Sequence, residues 1–415
     1  MDKNKPKALE LLNKKKTHPN LTYEMIEGQT GYSKRQLLRL NKELQQKDME
    51  SILTHGNTGK APAITASYQE ISYLRKLKEP YPHITIAQFR DFYFEDVLNN
   101  PKKQSVVKRY HLKSRSKSWF RELFRKEGWT SPLSRKTRRD DRAIHPLRQP
   151  SPQRGMISQI DGTPFDWFGD GRMYTLHLSV DDATTEVLAG WFMPTECQSG
   201  YCHMMRLEIE KNGIPKAIYS DRHTIFKNIK DGSKTQFGLM MDRLGIRMIF
   251  AGSPEAKGRI ERCNGTCQRR LPNDIIRFHI KTYDQLNIWF NEFYISYLNS
   301  KFAFNPVDPN SAYAQIEPDF DYSRVFYATL TRTISSDTFS IANNLYSVLN
   351  EYGEVMHIRD RLTVDVRIDA FTRDMYVWKN EKRYELFKVG QRRIHSEEII
   401  ENQKDLTDYI NKKDK

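Results

Sequence analysis

After Met156 the apolar pattern of this chain imposes an order of elements that few folds satisfy. Residues 157–161 read as a strand, Tyr174, Leu176, Leu178 and Val180 alternate with polar residues in a second, and residues 187–192 are continuously apolar, as a strand covered on both faces must be. A helix follows, with Thr195 and Gln198 as its predicted cap, and runs to about Lys211, where Asn212-Gly213 stops it. Ala217-Ile218-Tyr219 is a short buried strand leading to Asp221; a helix over 235–244, a strand over 246–250 and a helix carrying Glu261 complete the series. Three strands, helix, strand, helix, strand, helix predict a mixed sheet flanked by helices.

That order carries three carboxylates to element ends. Asp161 closes the first strand, Asp221 follows the fourth, and Glu261 sits on the helix whose start is marked by Pro254 and Gly258. Mg²⁺ is a hard ion held by a few carboxylate oxygens while it keeps water and substrate phosphate as its other ligands. Two such ions about 3.5–4 Å apart activate an attacking oxygen and stabilise a leaving one during in-line phosphoryl transfer. One acid bridging the ions and two more each holding one is the minimal set, so Mg²⁺ is the expected cofactor, with Mn²⁺ able to substitute. The rival carboxylates Asp166, Asp181 and Asp182 suit local hydrogen bonds in turns, and Glu255 suits a helix N-terminus. Arg222 and His223 flank the second acid and could orient phosphate or water, with a structural hydrogen bond the preferred role for His223.

Charge points to a polyanionic partner. Residues 1–150 carry 32 basic and 16 acidic side chains and the rest of the chain 35 and 36, so the whole net charge of +15 lies in the first third. Double-stranded DNA or RNA is the partner such asymmetry suggests, ahead of a merely solvated basic surface. In that region a short helix over 22–27, a turn from Gly28 to Gly31 and a helix over 33–45 capped by Ser33 and Gln36 form a helix-turn-helix pattern. Leu37, Leu40 and Leu44 face inward, and Arg35, Arg39 and Lys42 share another face. A second helical unit carries capping boxes at Ser67 with Glu70 and Thr85 with Gln88, an inward stripe of Phe89, Tyr93 and Val97, and a helix over 116–127. There Trp119, Phe120, Leu123 and Phe124 are expected to pack, with Arg115, Lys117, Arg121 and Arg125 outside.

Residues 131–155 lack apolar periodicity and include Arg135, Lys136, Arg138, Arg139, Pro146, Pro150 and Pro152, which reads as a basic linker able to track phosphates, with a simple solvated tether as the alternative. Cys197, Cys202, Cys263 and Cys267 do not follow zinc-site spacings and are expected as free thiols. No apolar run approaches the roughly 18 residues of a membrane span, and the N-terminus lacks a signal-peptide stretch, so a cytoplasmic, nucleoid-associated protein without membrane contact is expected.

Gln159-Ile160-Asp161-Gly162, Tyr219-Ser220-Asp221-Arg222 and Pro254 through Glu261, with Asn264 after it, resemble the motifs of DDE transposases of bacterial insertion sequences. These belong to the retroviral-integrase superfamily, whose catalytic core has an RNase H-like fold. The resemblance covers roughly residues 156–313, including Asn299 and an Asn305-Pro306-Val307-Asp308-Pro309 segment that resembles the end of that core. The 39 residues between Asp221 and Glu261 slightly exceed the family's usual spacing, which an insertion over 227–234 would explain. The resemblance implies that Asp161 and Asp221 bind metal from strand ends and that Glu261 completes the catalytic site from its helix. Along that helix Lys257, Arg259, Arg262, Arg269 and Arg270 suit DNA-phosphate contacts, against the alternative of a solvated basic face.

Beyond a helical stretch over 282–298 the chain becomes β-rich, with strand candidates over 326–334, 338–341, 345–349, 354–358, 362–368 and 375–379. The expected architecture is multidomain: all-α helix-turn-helix units over 1–55 and 63–130, a basic linker over 131–155, an α/β RNase H-like core with a mixed sheet over 156–315, a small β-barrel over 322–392 and a charged tail over 393–415. The expected function is that of a transposase that binds an element's terminal inverted repeats, hydrolyses the phosphodiester at the ends and joins the 3′-OH to target DNA. Two ends must be cut together, so a homodimer or higher oligomer on DNA is expected. The alternatives are a catalytically inactive DNA-binding regulator and an RNase H-like nuclease without strand transfer.

Overall fold

The computed structural model describes residues 4–53, 65–132, 149–228, 232–250 and 258–391. The chain divides between Leu74 and Arg75 into two compact units.

In the first unit, α1 (Lys5–Lys15), α2 (Tyr23–Thr30), α3 (Lys34–Leu44) and α4 (Met49–Leu53) surround a core of Ala8, Leu9, Leu12, Ile26, Leu37, Leu40 and Ile52. Gly31 ends α2 in the left-handed region at φ 73°, and Ser33 starts α3 with a complete capping box: its Oγ accepts from Gln36 N while Gln36 Oε1 accepts from Ser33 N at 2.9 Å. The leucine stripe faces inward, and Arg35, Arg39 and Lys42 are exposed.

Beyond α5 (Tyr68–Lys78) come α6 (Ile86–Phe92), which continues as a π turn over Tyr93–Leu98, α7 (Gln104–Arg109) and α8 (Lys117–Lys126). Phe89 is their centre: its ring meets those of Phe120, Phe124 and Trp129 edge-on at 5.9, 5.6 and 5.9 Å. The expected capping box at Thr85 is only half formed. Thr85 Oγ1 accepts from Gln88 N, but the Gln88 side chain turns into the core instead.

The central sheet is built from β2 (Ser158–Phe165), β3 (Tyr174–Asp181), β4 (Val187–Met193), β5 (Ala217–Ser220) and β6 (Arg247–Phe250), in the order β4-β3-β2-β5-β6. The first three are antiparallel, whereas β2, β5 and β6 run parallel. A short β1 (Gln153–Arg154) pairs with β7 (Asp308–Ser311). One face is covered by α9 (Gln198–Asn212) and α10 (Gln236–Arg243), through Tyr201, Met205, Phe237 and Met241. The other is covered by α11 (Gly258–Arg277) and by α12 (Tyr283–Trp289) and α13 (Ile295–Phe302), which a π turn joins, through Ile260, Cys267, Leu271, Phe290 and Leu298.

The cap expected at Thr195 is not the one observed. α9 begins after Cys197, whose side chain makes no cap bond, and Cys197 N donates to Nε2 of the buried His177 at 3.1 Å. A histidine of β3, distant in sequence, thus satisfies a helix-start amide that local chemistry was expected to satisfy.

Strand β4 is an edge, and asparagines seal it. Asn287, Asn291 and Asn299 each donate to and accept from one residue of β4 (Phe192, Gly190 and Val187), so amide side chains replace a missing neighbour strand.

The helices after α5 share a polar network with α11. Gln88 Nε2 donates to Arg270 O at 2.8 Å and Asp274 Oδ2 at 3.0 Å, Asn273 Nδ2 donates to Gln88 Oε1, and Arg270 and Arg277 pair with Asp91, Glu95 and Asp96.

The C-terminal strands are β8 (Tyr327–Thr333), β9 (Phe339–Ile341), β10 (Asn344–Val348), β11 (Thr363–Asp369), β12 (Met375–Lys379) and β13 (Lys382–Gln391). In the order β8-β11-β12-β13-β10-β9 they form a nearly closed antiparallel barrel. The strand expected over 354–358 is not formed; only an isolated Leu349–Val355 bridge lies there. Its place is taken by β13, between β12 and β10. The barrel docks on α9 and α10: Val325, Phe326 and Ile368 enter their core, and Gln236 both donates to Thr329 O and accepts from Thr329 N. Among the described residues no helix is long and apolar enough to cross a membrane.

Candidate active site

Register brings the first two acids to the same end of the β2–β5 pair. The last paired residues are Gln159 and Tyr219; Asp161 lies two residues further along β2, and Asp221 two residues further along the chain, directly after the end of β5. Alternation puts Gln159, Asp161 and Thr163 on the α11 side of β2, and α11 grips all three. Ile260 N donates to Gln159 Oε1 at 3.2 Å, Asn264 Nδ2 to Asp161 Oδ2 at 2.9 Å, and Gln268 Nε2 to Thr163 Oγ1 at 2.8 Å. The match is metric: four helical residues rise about 6 Å and two strand residues about 6.6 Å. Glu261 lies one turn before Asn264 on this keyed helix and is exposed.

The carboxylates do not close around a common point: among the described residues no group of three His, Cys, Asp or Glu side chains is close enough to hold a metal ion. The residues present still fit a hard cation. One aspartate lies on β2 and a second directly after the neighbouring β5, a third acid projects from the first turn of α11, and Asn264 leaves its Oδ1 buried and without a partner. Asp221 Oδ1 accepts from His223 N at 2.9 Å, and His223 Nδ1 accepts from Ile225 N at 3.3 Å, so His223 shapes the local turn.

The rival acids are occupied elsewhere. Asp166 accepts from the backbone of Gly169, Asp170 and Gly171; Asp181 accepts from Gly155 N and Thr184; Asp182 accepts from Ser151 and Gln159. Burial raises the Asp181 carboxyl above its usual range, opposed by these bonds.

Several cations expected on the surface are interior. Arg259 pairs with fully buried Asp182 at 3.1 Å, Arg270 is 7% exposed and bonded to Asp91 and Tyr297, and Arg115 is 6% exposed with its guanidinium 4.7 Å from the Trp119 ring. Helix periodicity read Arg259 and Arg270 as outward, but segments remote in sequence supply Asp182 and Asp91 against them, whereas Arg115 precedes α8 and is covered locally by Trp119. Arg262 and Arg269 on α11, and Lys117, Arg121 and Arg125 on α8, are exposed, Arg125 being paired with Glu122. Arg138, Arg139, Pro254, Glu255 and Lys257 lie outside the described residues. Lys227 and Lys234, at the ends of the expected insertion, form an isolated antiparallel bridge. The four cysteines are free.

Two residues beside the acids were not anticipated. Tyr201 on α9 is buried, and its Oη donates to Glu196 Oε1 at 2.7 Å. Burial, together with the charges of Glu196, Asp161 and Asp221, pushes the Tyr201 hydroxyl far above its usual range, so it remains a donor. Gly162, directly after Asp161, leaves room for both groups.

The chain is 29% identical over 294 residues to the transposase for insertion sequence IS1202 of Streptococcus pneumoniae, covering 67% of this chain and 61% of that protein. It is 30% identical over 293 residues to y4bF of Sinorhizobium fredii, a protein named as a transposase, covering 67% and 62%. The chain is thus similar to two bacterial transposases. It spans about three fifths of the length of these transposase relatives. No family model matches it. Among solved structures it is similar to a simian T-cell lymphotropic virus intasome (13% identity, 71% of this chain and 99% of that one, TM-score 0.32). It is also similar to the HTLV-2 integrase catalytic core in complex with magnesium (18%, 33% and 86%, TM-score 0.27) and to the BIV integrase core (16%, 35% and 85%, TM-score 0.27).

Proposed function

We propose that this chain is a DDE transposase that acts on double-stranded DNA at the ends of an insertion sequence. The observation that carries the proposal is the register that brings Asp161 on β2 and Asp221 just after β5 to the same end of this parallel pair, with β2 keyed to α11 at Ile260, Asn264 and Gln268. Asp161, Asp221 and Glu261 would hold Mg²⁺ or Mn²⁺, which when bound supplies activation of the attacking oxygen and stabilisation of the leaving one. Asn264 orients the Asp161 carboxylate through its Nδ2, and the His223 amide does the same for Asp221. In the first step a water oxygen displaces the 3′ oxygen at the element's end, which leaves with a proton as a 3′-OH. In the second step that hydroxyl displaces a 3′ oxygen in target DNA. Both are in-line displacements at phosphorus, so one site serves both.

The first unit would read the terminal repeats as a helix-turn-helix, with exposed Arg35, Arg39 and Lys42 of α3 against DNA. Exposed Lys117, Arg121 and Arg125 of α8, with Arg262 and Arg269 of α11, offer phosphate contacts. Cutting two ends together calls for a homodimer or higher oligomer on DNA.

The test supplies protein with a supercoiled plasmid bearing the element's ends and Mg²⁺, alongside Asp161→Asn, Asp221→Asn and Glu261→Gln. Joined products from the wild type and none from the variants are expected. Cleavage that persists in all three variants overturns the assignment, cleavage without joining makes the chain a nuclease, and binding without cleavage makes it a regulator.

A further inference from the structure

Outside the acids themselves, the strongest unexplained feature of the site is the Glu196–Tyr201 pair. Glu196 precedes α9, and Tyr201 lies within it, yet both reach across to β2 at the residue after Asp161. A Cβ on Gly162 would lie 2.8 Å from the Glu196 carboxyl carbon, from its Oε1 and from Tyr201 Oη. The strand backbone therefore rests directly on the pair. Tyr201 is fully buried, Glu196 is half-buried, and their 2.7 Å bond ties the carboxylate to the α9 side of the strand. Asp161 lies on the α11 side, bonded to Asn264. Glu196 is thus close to the aspartates in space and held apart from their side of β2.

We infer that Glu196 is a positioning and charge-supplying residue of the site, which strengthens divalent-cation binding by Asp161 and Asp221 without joining the ligand set, because Tyr201 holds it across the strand. The inference rests on the proposed metal-binding role of the two aspartates. Its physical basis is Coulombic: in a partly desolvated setting an additional anion near two carboxylates raises the attraction for a doubly charged ion, and ligand-set charge is a main determinant of affinity for hard cations. A structural hydrogen bond alone would predict dependence on shape, not on charge.

The experiment measures Mn²⁺ binding to the full-length, DNA-free protein by titration calorimetry, with unfolding temperature in EDTA recorded for each variant. Glu196→Gln keeps an acceptor for Tyr201 and removes the charge, and is expected to weaken Mn²⁺ affinity roughly 3- to 10-fold. Glu196→Asp keeps the charge and is expected to stay within about twofold of wild type. Unfolding temperatures in EDTA are expected to agree among all three proteins. Wild-type affinity in Glu196→Gln, equal loss in Glu196→Asp, or a lowered unfolding temperature that tracks the loss would each overturn the inference. Asp161→Asn separates the two levels. If it abolishes binding while Glu196→Gln does not weaken it, only the role of Glu196 falls; if Asp161→Asn leaves binding intact, the metal site falls and this inference with it.

Discussion

Gln159→Leu tests whether the grip of β2 on α11 positions the third acid. Gln159 is fully buried; its Nε2 donates to Asp182 Oδ1 at 2.7 Å, and its Oε1 accepts from Ile260 N at 3.2 Å. A bond to a charged group contributes about 1.5–3 kcal/mol and a neutral one about 0.5–1.5 kcal/mol. Leucine fills a similar volume, so little is added for a cavity and a little is recovered by removing a desolvated amide. The net expected loss is about 2–4 kcal/mol, read as a lower urea midpoint at unchanged slope in the transition reported by Trp167 and Trp191. Glu261 is the residue after Ile260, so DNA cleavage at saturating Mg²⁺ is expected to fall at least about tenfold while the protein is still folded. Gln159→Glu should be worse, since it sets a second anion against Asp182. A stability loss under about 1 kcal/mol, or unaltered cleavage in a destabilised protein, would refute the idea that this bond pair positions Glu261.

Gly200→Ala should destabilise despite the roughly 1 kcal/mol that alanine gains over glycine in a helix, because its Cβ would lie 2.3 Å from the ring of His177; a midpoint equal to or above wild type would contradict this. Burial raises the Glu208 carboxyl from its usual 4.5 to about 7, against hydrogen bonds from Ser158 and Ser179. The folded state therefore holds a proton that the unfolded state has lost, and stability contributed by Glu208 is complete below pH 4.5 and lost as pH rises towards 7; Glu208→Gln should flatten that slope in pH-dependent unfolding. Arg39→Ala should weaken binding to element ends and reduce the salt slope by about 0.9, whereas Arg270→Ala should leave that slope unchanged and lower the unfolding midpoint, since it leaves Lys301 to pair alone with Asp91 and removes a buried positive charge that favours ionised Asp274. Equal salt slopes for the two variants would undo the distinction between exposed and interior cations.

Period and punctuation made much of the core legible. The alternation at Tyr174, Leu176, Leu178 and Val180 is β3, the run over 187–192 is β4, and Gly213 at φ 100° ends α9 after the anticipated Asn212-Gly213 stop. Ser33 and Gln36 form the cap they advertise because both partners are local. What was misread depends on contacts between distant segments. Gln88 matches a capping box by sequence, yet Asp274 and the Arg270 carbonyl, 186 and 182 residues away, bind its side chain. Arg259 and Arg270 lie on a face of α11 that would be solvated in an isolated helix, yet they meet Asp182 and Asp91. β13 escaped notice because Lys382, Arg383, Glu385 and Lys388 mask the Tyr384/Leu386 alternation, while 354–358 showed apolar residues without a partner strand. Of the candidate site, Asp221 directly follows β5 and Glu261 sits in the first turn of α11 as expected, whereas β2 does not end at Asp161 but runs on to Phe165, because residues 162–165 keep pairing with β3. The Glu196–Tyr201 pair was not visible, since nothing in local sequence tells that α9 reaches β2 at Gly162.

The amides of Asn287, Asn291 and Asn299 have a consequence for how copies of this chain can meet. A strand whose hydrogen-bonding capacity is already spent on side chains offers no template for an incoming one, so continuous sheets running from molecule to molecule are closed off at β4. At this end of the sheet, copies can then be joined only through helical faces, which leaves β6 as the one remaining edge of the central sheet. Replacing one of these asparagines by a residue without an amide would reopen the edge and turn a sealed border into a sticky one.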